Sequence, residues 1–456
     1  MAGPPVPADG FCRCTRPERK RTPVGTPSPR RSRSWPSFAV VAAVLVGLFV
    51  PSTAAQASTV SSTPLPTAQI NGVAVAQVVV GSTVYVGGSF TTARPAGAAP
   101  GTSTVKRSNL LAYDLTTGRL KSWAPKTNGE VRALARSGDG RTIYAAGPFT
   151  RVNGHTRNRV VAIAASTGGV RSQFHPTLNG AAYAVAVKGS SVYVGGRFTS
   201  ANSHTRAHAA AFGALTGRLL PWRPKTNNDV LAIVVSSTGR SAVLGGRFSL
   251  VNGHTQRGSQ RVGTGSGNTD LTWRVNDVVG NNGPDAAIWS LSTDGTYVYG
   301  TGYSYHPKGV TGKRLEGTFV ATWGTGRIHW IEDCHGDTYS AVATAGAVYI
   351  AGHPHDCRDV PGGFTQTSPL TYHRALAFSR AAVGKLATNT QSGYSNFGGQ
   401  PAPALLAWRP DFNTGTATGL NQGPWNVVAA HGYVLYAGEF TRVNGGRQQG
   451  LVRFSG

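Results

Sequence analysis

Residues 330–359 read WIEDCHGDTYSAVATAGAVYIAGHPHDCRD and hold Glu332, Asp333, Asp337, Asp356 and Asp359 together with His335, His353 and His355. These are five of the sixteen acidic residues that follow position 57. His335 and Asp337 are two apart, as are His353 and His355, and in extended chain such pairs point to one face. His335, Asp337, His353, His355 and Asp356 have the residue types of a mixed site for a divalent metal, which zinc, manganese or iron would accept. They equally have those of a metal-free acid/base pair, a histidine titrating near neutrality and steered by a carboxylate. A third reading is a loop whose histidines and aspartates satisfy one another, because the spacing matches no established metal signature and Pro354 interrupts the strand.

Two segments of alternating character, Thr338–Thr344 and Ala347–Ala351, lie inside this stretch and meet at Ala345-Gly346. That pattern predicts a hairpin, which brings its two ends together. Cys334 and Cys357 stand at those ends, an even pair at a closable position that reads as a disulfide. Two thiolates on zinc is the weaker alternative, since no Cys-x-x-Cys is present.

The hairpin is one copy of a larger repeat. VYVGGSF at Val84–Phe90, IYAAGPF at Ile143–Phe149, VYVGGRF at Val192–Phe198, AVLGGRF at Ala242–Phe248 and VLYAGEF at Val434–Phe440 recur at steps of about fifty residues. VYGTGY at Val298–Tyr303 and VYIAGH at Val348–His353 bring the copies to seven. A period of that size predicts an all-β, seven-bladed β-propeller of four-stranded antiparallel blades. Outer strands are expected near Trp123-Ala124-Pro125 and Trp222-Arg223-Pro224, where an edge tolerates proline. The last repeat supplies only three strands, so Thr67–Gly72 is expected to pair into the last blade and close the ring.

A repeat protein carries its own control: what recurs serves folding, and what occurs once is a candidate for function. By this test the Gly-Gly-x-Phe motif is structural, with Phe90, Phe149, Phe198, Phe248 and Phe440 as core anchors. Trp123, Trp222 and Trp408 read as packing between blades. The Asn-Gly-His-Thr loops at Asn153–Thr156 and Asn252–Thr255, with relatives at Asn202–Thr205 and Asn444-Gly445, read as Asx or left-handed turns. A sharper reading makes His155, Arg157, His204, Arg206, His254 and Arg257 a ring facing a repetitive anionic ligand. Between His353 and Phe440 the period stretches, which places an insertion at about 360–404, including Tyr372, His373 and Arg374 as ligand-face candidates.

Residues 1–57 are read as a signal peptide with a long basic leader, ending at Ala55-Gln56-Ala57 after the apolar run Phe38–Val50. That run has thirteen residues, too few to span a bilayer, which takes about twenty. Residues 58–456 are then a single secreted domain with no membrane span after cleavage, read as a monomer. Arg30-Arg31 leaves the export route open between the general and twin-arginine systems. Without the leader's net +6, the chain's +26 falls to +20, a charge that favours acidic polysaccharide, cell-wall polymer or an acidic protein partner. Nucleic acid is the weakest of these options, because no segment interleaves basic residues with exposed aromatics. No Gly-x-Ser-x-Gly elbow, phosphate loop, dinucleotide fingerprint or EF-hand loop is present.

DCHGDTY at Asp333–Tyr339, GHPHDC at Gly352–Cys357, HRALAF at His373–Phe378 and GQPAPALLAW at Gly399–Trp408 resemble a family of secreted actinobacterial β-propeller proteins. Members often carry PKD, LamG or similar wall-associated modules, and the VYVGGxF repeat is also similar to kelch-like and Rax2-like cell-surface propellers. The resemblance implies the fold and an exterior location, and brings no reaction or catalytic residues. The sequence thus points to a secreted binding protein at the cell surface or extracellular matrix. The alternatives are a metal-assisted or acid/base hydrolase or lyase using the His335/Asp337/His353/His355 cluster, and an adhesive scaffold with no discrete site. Fold alone cannot choose among them.

Overall fold

The chain divides into Met1–Thr53 and Ala54–Gly456, and the computed structural model describes residues 58–305 and 313–456. The leader, its apolar run and its cleavage site therefore lie outside the described residues. The described residues form an all-β fold of antiparallel sheets, with a 3-10 turn at Val275–Asp277.

We number the larger sheets one to seven in chain order. Their first strands are Val73–Val80, Ala133–Arg136, Ala182–Lys188, Val230–Val235, Ala286–Thr293, Thr338–Ala343 and Pro424–Ala430. Each pairs with the strand carrying the Val-Tyr motif, which pairs in turn with a third, as in Val73–Val80, Thr83–Ser89 and Leu110–Asp114 of sheet one. Each first strand packs against the first strand of the next sheet, and Pro424–Ala430 of sheet seven packs against Val73–Val80 of sheet one.

Apolar side chains fill the spaces between consecutive sheets. Tyr85 and Leu110 of sheet one share a core with Val131, Ile143 and Val161 of sheet two, and Val84 and Leu111 share one with Leu435 and Leu451 of sheet seven. The glycines of the repeat follow from this packing. A Cβ on Gly87 would lie 2.6 Å from Val131 of the next sheet, and one on Gly88 2.1 Å from the Val73 carbonyl oxygen of the paired strand. The phenylalanine anchors are buried. Trp123 and Trp222 donate their indole N–H to the Ala164 and Gly263 carbonyls of the following sheets, at 3.0 and 2.9 Å, so the inter-sheet role expected for them holds.

Three expectations need correction. Among the described residues only sheet five has a full fourth strand, Ile328–Glu332. In sheets one to four and six the outer strand is reduced to a single bridge, such as Tyr113 with Leu120 and Phe212 with Leu219. The reason is local: Trp123-Ala124-Pro125 and Trp222-Arg223-Pro224 follow those bridges, and proline has no N–H to extend a ladder, whereas IHWIE has no proline. Second, Gln69–Ile70 pairs with Thr92–Arg94 of the adjoining loop. The residue that bridges to the last sheet is Leu65, opposite Arg453. Third, Val360–Ala404 is not one insertion. Ala375–Phe378 within it is the third strand of sheet six, an apolar run like Leu110–Tyr113, so the extra residues divide into loops before and after that strand.

Candidate functional site

The first strands share one irregularity. Their register with the second strand skips one residue, Val75, Tyr183, Leu231, Trp289, Tyr339 or Trp425 in sheets one, three, four, five, six and seven. In sheet two Arg132 has the corresponding place, its N–H donating to the Ala146 carbonyl at 2.8 Å beside the Ala133–Ala146 pair. Such a β-bulge turns a side chain out of the pleat. All of these side chains line one cavity of ≈ 610 Å³, together with Gln77, Glu130, Arg247, Ser290, Thr418 and Asn426. The backbone device recurs while its side chain changes, and the large aromatics fall on sheets five to seven.

Trp289, Tyr339 and Trp425 form an apolar cluster with Val73 and Val75 that is separate from the cores between sheets. Tyr339 and Trp425 lie with ring centroids 4.3 Å apart, and Trp289 is 6.0 Å from Trp425 and 5.8 Å from Tyr303. The Trp425 indole N–H donates to Glu439 Oε1 at 3.2 Å. That carboxylate is already held by the N–H and hydroxyl of Thr418 and the N–H of Gln422, which fixes the indole plane.

The variable residue of Gly-Gly-x-Phe and its relatives stands beside the bulge: Arg197, Arg247, Tyr303, His353 and Glu439 occupy that place in sheets three to seven. Arg197 makes a paired contact with Asp229 at 2.9 and 3.0 Å. Arg247 reaches the same carboxylate at 3.8 Å and donates to the Tyr303 hydroxyl at 3.0 Å. Arg132 pairs with Glu130 at 2.7 Å.

His353 and Asp337 meet at this rim. The Asp337 N–H donates to His353 Nε2 at 3.2 Å, so the neutral ring carries its proton on Nδ1, which donates to Gln422 Oε1 at 3.0 Å and lies 3.1 Å from the Tyr339 hydroxyl. Burial lowers the pKa of His353 and raises that of Asp337, so both groups favour their uncharged forms. An imidazole with both nitrogens engaged positions its neighbours, here Tyr339 and Gln422, rather than taking up a proton.

The remaining members of the His/Asp stretch form a second group, which His355 joins to this pair through Tyr372. Cys334 and Cys357 are disulfide-bonded, with Cα atoms 3.9 Å apart. His335 stacks on Tyr394 at 3.9 Å and contacts Gln391 Oε1 through Nδ1 at 2.9 Å, while Gln391 donates to Asp356 at 2.6 Å. Asp356 also pairs with Arg358, and His355 Nε2 contacts the Tyr394 hydroxyl at 3.3 Å. Burial pushes the His335 pKa down to about 4 and that of Glu332 up to about 7. Asp333 is raised well above its ordinary range by burial and by the nearby Glu332, Glu316 and Asp359. Among the described residues no three His, Cys, Asp or Glu side chains are gathered as metal ligands would be, so the five-residue metal set is not assembled.

Of the loop candidates, Tyr372 presents an exposed ring to the edges of His353 and His355 at 5.6 and 5.9 Å. The Arg374 guanidinium stands over that ring at 5.3 Å. It donates to the Phe412 carbonyl at 3.2 Å and fills the space left by Gly423, where a Cβ would come within 2.5 Å of Arg374 Cδ. His373 packs on Phe364 at 4.2 Å. His155, His204 and His254 are exposed, each on its own two-strand hairpin. Asn153, Asn202 and Asn252 adopt φ of 49°, 46° and 51° there, the left-handed turns read from the sequence. Arg157 donates to Thr156 and Ser172 carbonyls and Arg206 to those of Thr205 and Leu220, so these two brace their hairpins, and Arg257 is exposed. Sequence reasoning missed Trp289, Trp425 and Tyr303, although they stand at positions whose residue type varies among the repeats. Reading the repeat for its variable positions would have found them.

No family model matches this chain, and no curated protein does. Among solved structures, a chain of a mitotic checkpoint complex matches with a TM-score of 0.50 at 10% identity, covering 94% of this chain and 99% of that one. The computationally designed Ika8 protein matches with a TM-score of 0.44 at 14% identity, covering 85% of this chain and 98% of that one. At such identities the first of these likenesses concerns the fold alone.

Proposed function

We propose that the chain is a secreted, seven-bladed β-propeller that binds a glycan or wall polymer outside the cell, with the bulge-lined cavity as its site. The ring is supported by the cyclic packing of the first strands and by the Leu65–Arg453 bridge between the start and end of the fold. Secretion is supported by the disulfide and by the leader's composition. The observation that carries the binding role is the arc of Trp289, Tyr339 and Trp425, grouped around one cavity outside the packing cores. Indole and phenol rings offer flat apolar faces with polar edges, which suits the alternating apolar and hydroxylated faces of a sugar ring. A cavity of ≈ 610 Å³ falls within the range of small-molecule sites.

The test is retention of residues 58–456 on a panel of immobilised polysaccharides and wall polymers, with intrinsic tryptophan fluorescence as a second readout. Trp289→Ala combined with Trp425→Ala is expected to abolish retention while the β-sheet circular dichroism is unchanged. Equal retention by this variant would remove the cavity as the site. Among the described residues no helix is long and apolar enough to cross a membrane.

A further inference from the structure

The charges around the cavity do not cancel. Glu130 is matched by Arg132, and Asp229 is shared by Arg197 and Arg247. Glu439 is engaged by neutral donors, from Thr418, Gln422 and Trp425. Asp337 is held toward its uncharged form by burial. Arg374 lies next to Gly423, two residues before Trp425, and no carboxylate among the described residues pairs with it. Of the charged side chains that line the cavity with the aromatic ones, two are guanidinium groups, Arg132 and Arg247, and one is a carboxylate, Glu130.

Arg132 and the aromatic side chains lie on different sides, whereas Arg247 stands at the aromatic side through its bond to Tyr303, whose ring is 5.8 Å from Trp289. Packing order runs from sheet two through three and four to five, and from two through one and seven to six, so Arg132 stands across the cavity from Trp289 and Tyr339. A ligand resting on the indoles thus presents its far edge to a guanidinium, whose planar fork matches a carboxylate.

Building on the binding role above, we propose that the cavity takes the terminal, carboxylate-bearing sugar of an acidic polysaccharide end-on, with its ring against Trp289 and Trp425 and its carboxylate toward Arg132 and Arg247. The cavity volume of ≈ 610 Å³ has room for one or two sugar rings.

Titration calorimetry of residues 58–456 with uronate oligosaccharides of increasing length, their carboxyl-reduced neutral counterparts and sulfated neutral oligosaccharides tests this directly. Expected results are a disaccharide uronate binding within a few-fold of longer chains, neutral counterparts at least tenfold weaker, and Arg132→Gln removing most of that difference. Arg247→Lys, which retains charge but loses the fork, is expected to reduce it less. Neutral or sulfated ligands binding as well as uronates would overturn the carboxylate assignment while leaving glycan binding intact, and affinity climbing steadily with chain length would overturn end-on entry. Binding of none of the three classes, to wild type or variants, would remove both this assignment and the glycan reading on which it rests.

Discussion

Sheets one to four and sheets five to seven use the same backbone for different ends. In both groups a bulge in the first strand turns a side chain into the cavity, but the first group supplies Val75, Arg132, Tyr183 and Leu231 and the second Trp289, Tyr339 and Trp425. The second group also contains the disulfide, the full outer strand and the two long loops around Ala375–Phe378. Elements that recur maintain the packing, and departures from the repeat gather on one side of the cavity. Stability and binding should therefore respond to different residues.

The largest effect should come from a recurring anchor. Phe198→Ala is expected to cost about 3–5 kcal/mol, read as a shift in the urea midpoint, since Phe198 is fully buried between sheets. A loss as large from Trp289→Ala would break the distinction between groups, because Trp289 is only half-buried at the cavity.

Next in size is the staple. Cys334→Ser with Cys357→Ser opens a loop with a sequence separation of 23, for which about 3 kcal/mol is expected by chain-entropy arguments. The loss should be confined to the neighbourhood of sheet six, so hydrogen exchange should rise there and remain low in sheets one to four.

Glu332 and His335 sharpen the comparison through pH. The folded chain holds a proton on Glu332 to about 7, against an ordinary 4.5, so this group makes stability fall as pH rises from 4.5 through 7. His335 resists protonation to about 4, against an ordinary 6.5, so it makes stability fall as pH drops from 6.5 through 4. Each is worth about 3 kcal/mol across its window, and between pH 4.5 and 6.5 the two slopes oppose each other. Glu332→Gln should unmask a loss on acidification and His335→Asn a loss on alkalinisation, both visible in denaturation midpoints across that window. Parallel profiles for the two variants would contradict this opposition.

The smallest effect should be that of Arg157→Ala. It removes hydrogen bonds to two backbone carbonyls at a hairpin and should cost about 1 kcal/mol with no change in ligand affinity.

The strands were legible because the Val-Tyr-Val-Gly-Gly-x-Phe phrase states both the alternation of a strand and the close approaches that need glycine at 87 and 88. The cysteine pair was legible from the hairpin between Thr338 and Ala351. The outer strands were less so: whether Leu120 or Trp123 carries the bridge depends on a proline whose effect is felt only once the ladder is drawn. The site was half legible. Asp337 and His353 stood out by composition, but their partners Tyr339, Gln422 and Trp425 come from bulges and from a neighbouring sheet, and a bulge leaves no mark on an alternation. His335 and His353 read alike in sequence, yet one stacks beneath Tyr394 and the other reaches Gln422, because Gly336 at a φ of 116° turns the chain between them.

The bulges also set how this scaffold can change over generations. A bulge side chain left half-buried, such as Trp289 or Leu231, is released from the volume constraints that govern Phe198 or Val194, so substitutions there alter what is recognised without unsettling the architecture. Positions 75, 132, 183, 231 and 289 amount to letters that can change within a fixed frame, while Tyr339 and Trp425, buried against each other, belong to the frame itself. A library varied at those five sites alone would inherit the parent's folding and differ only in its choice of ligand.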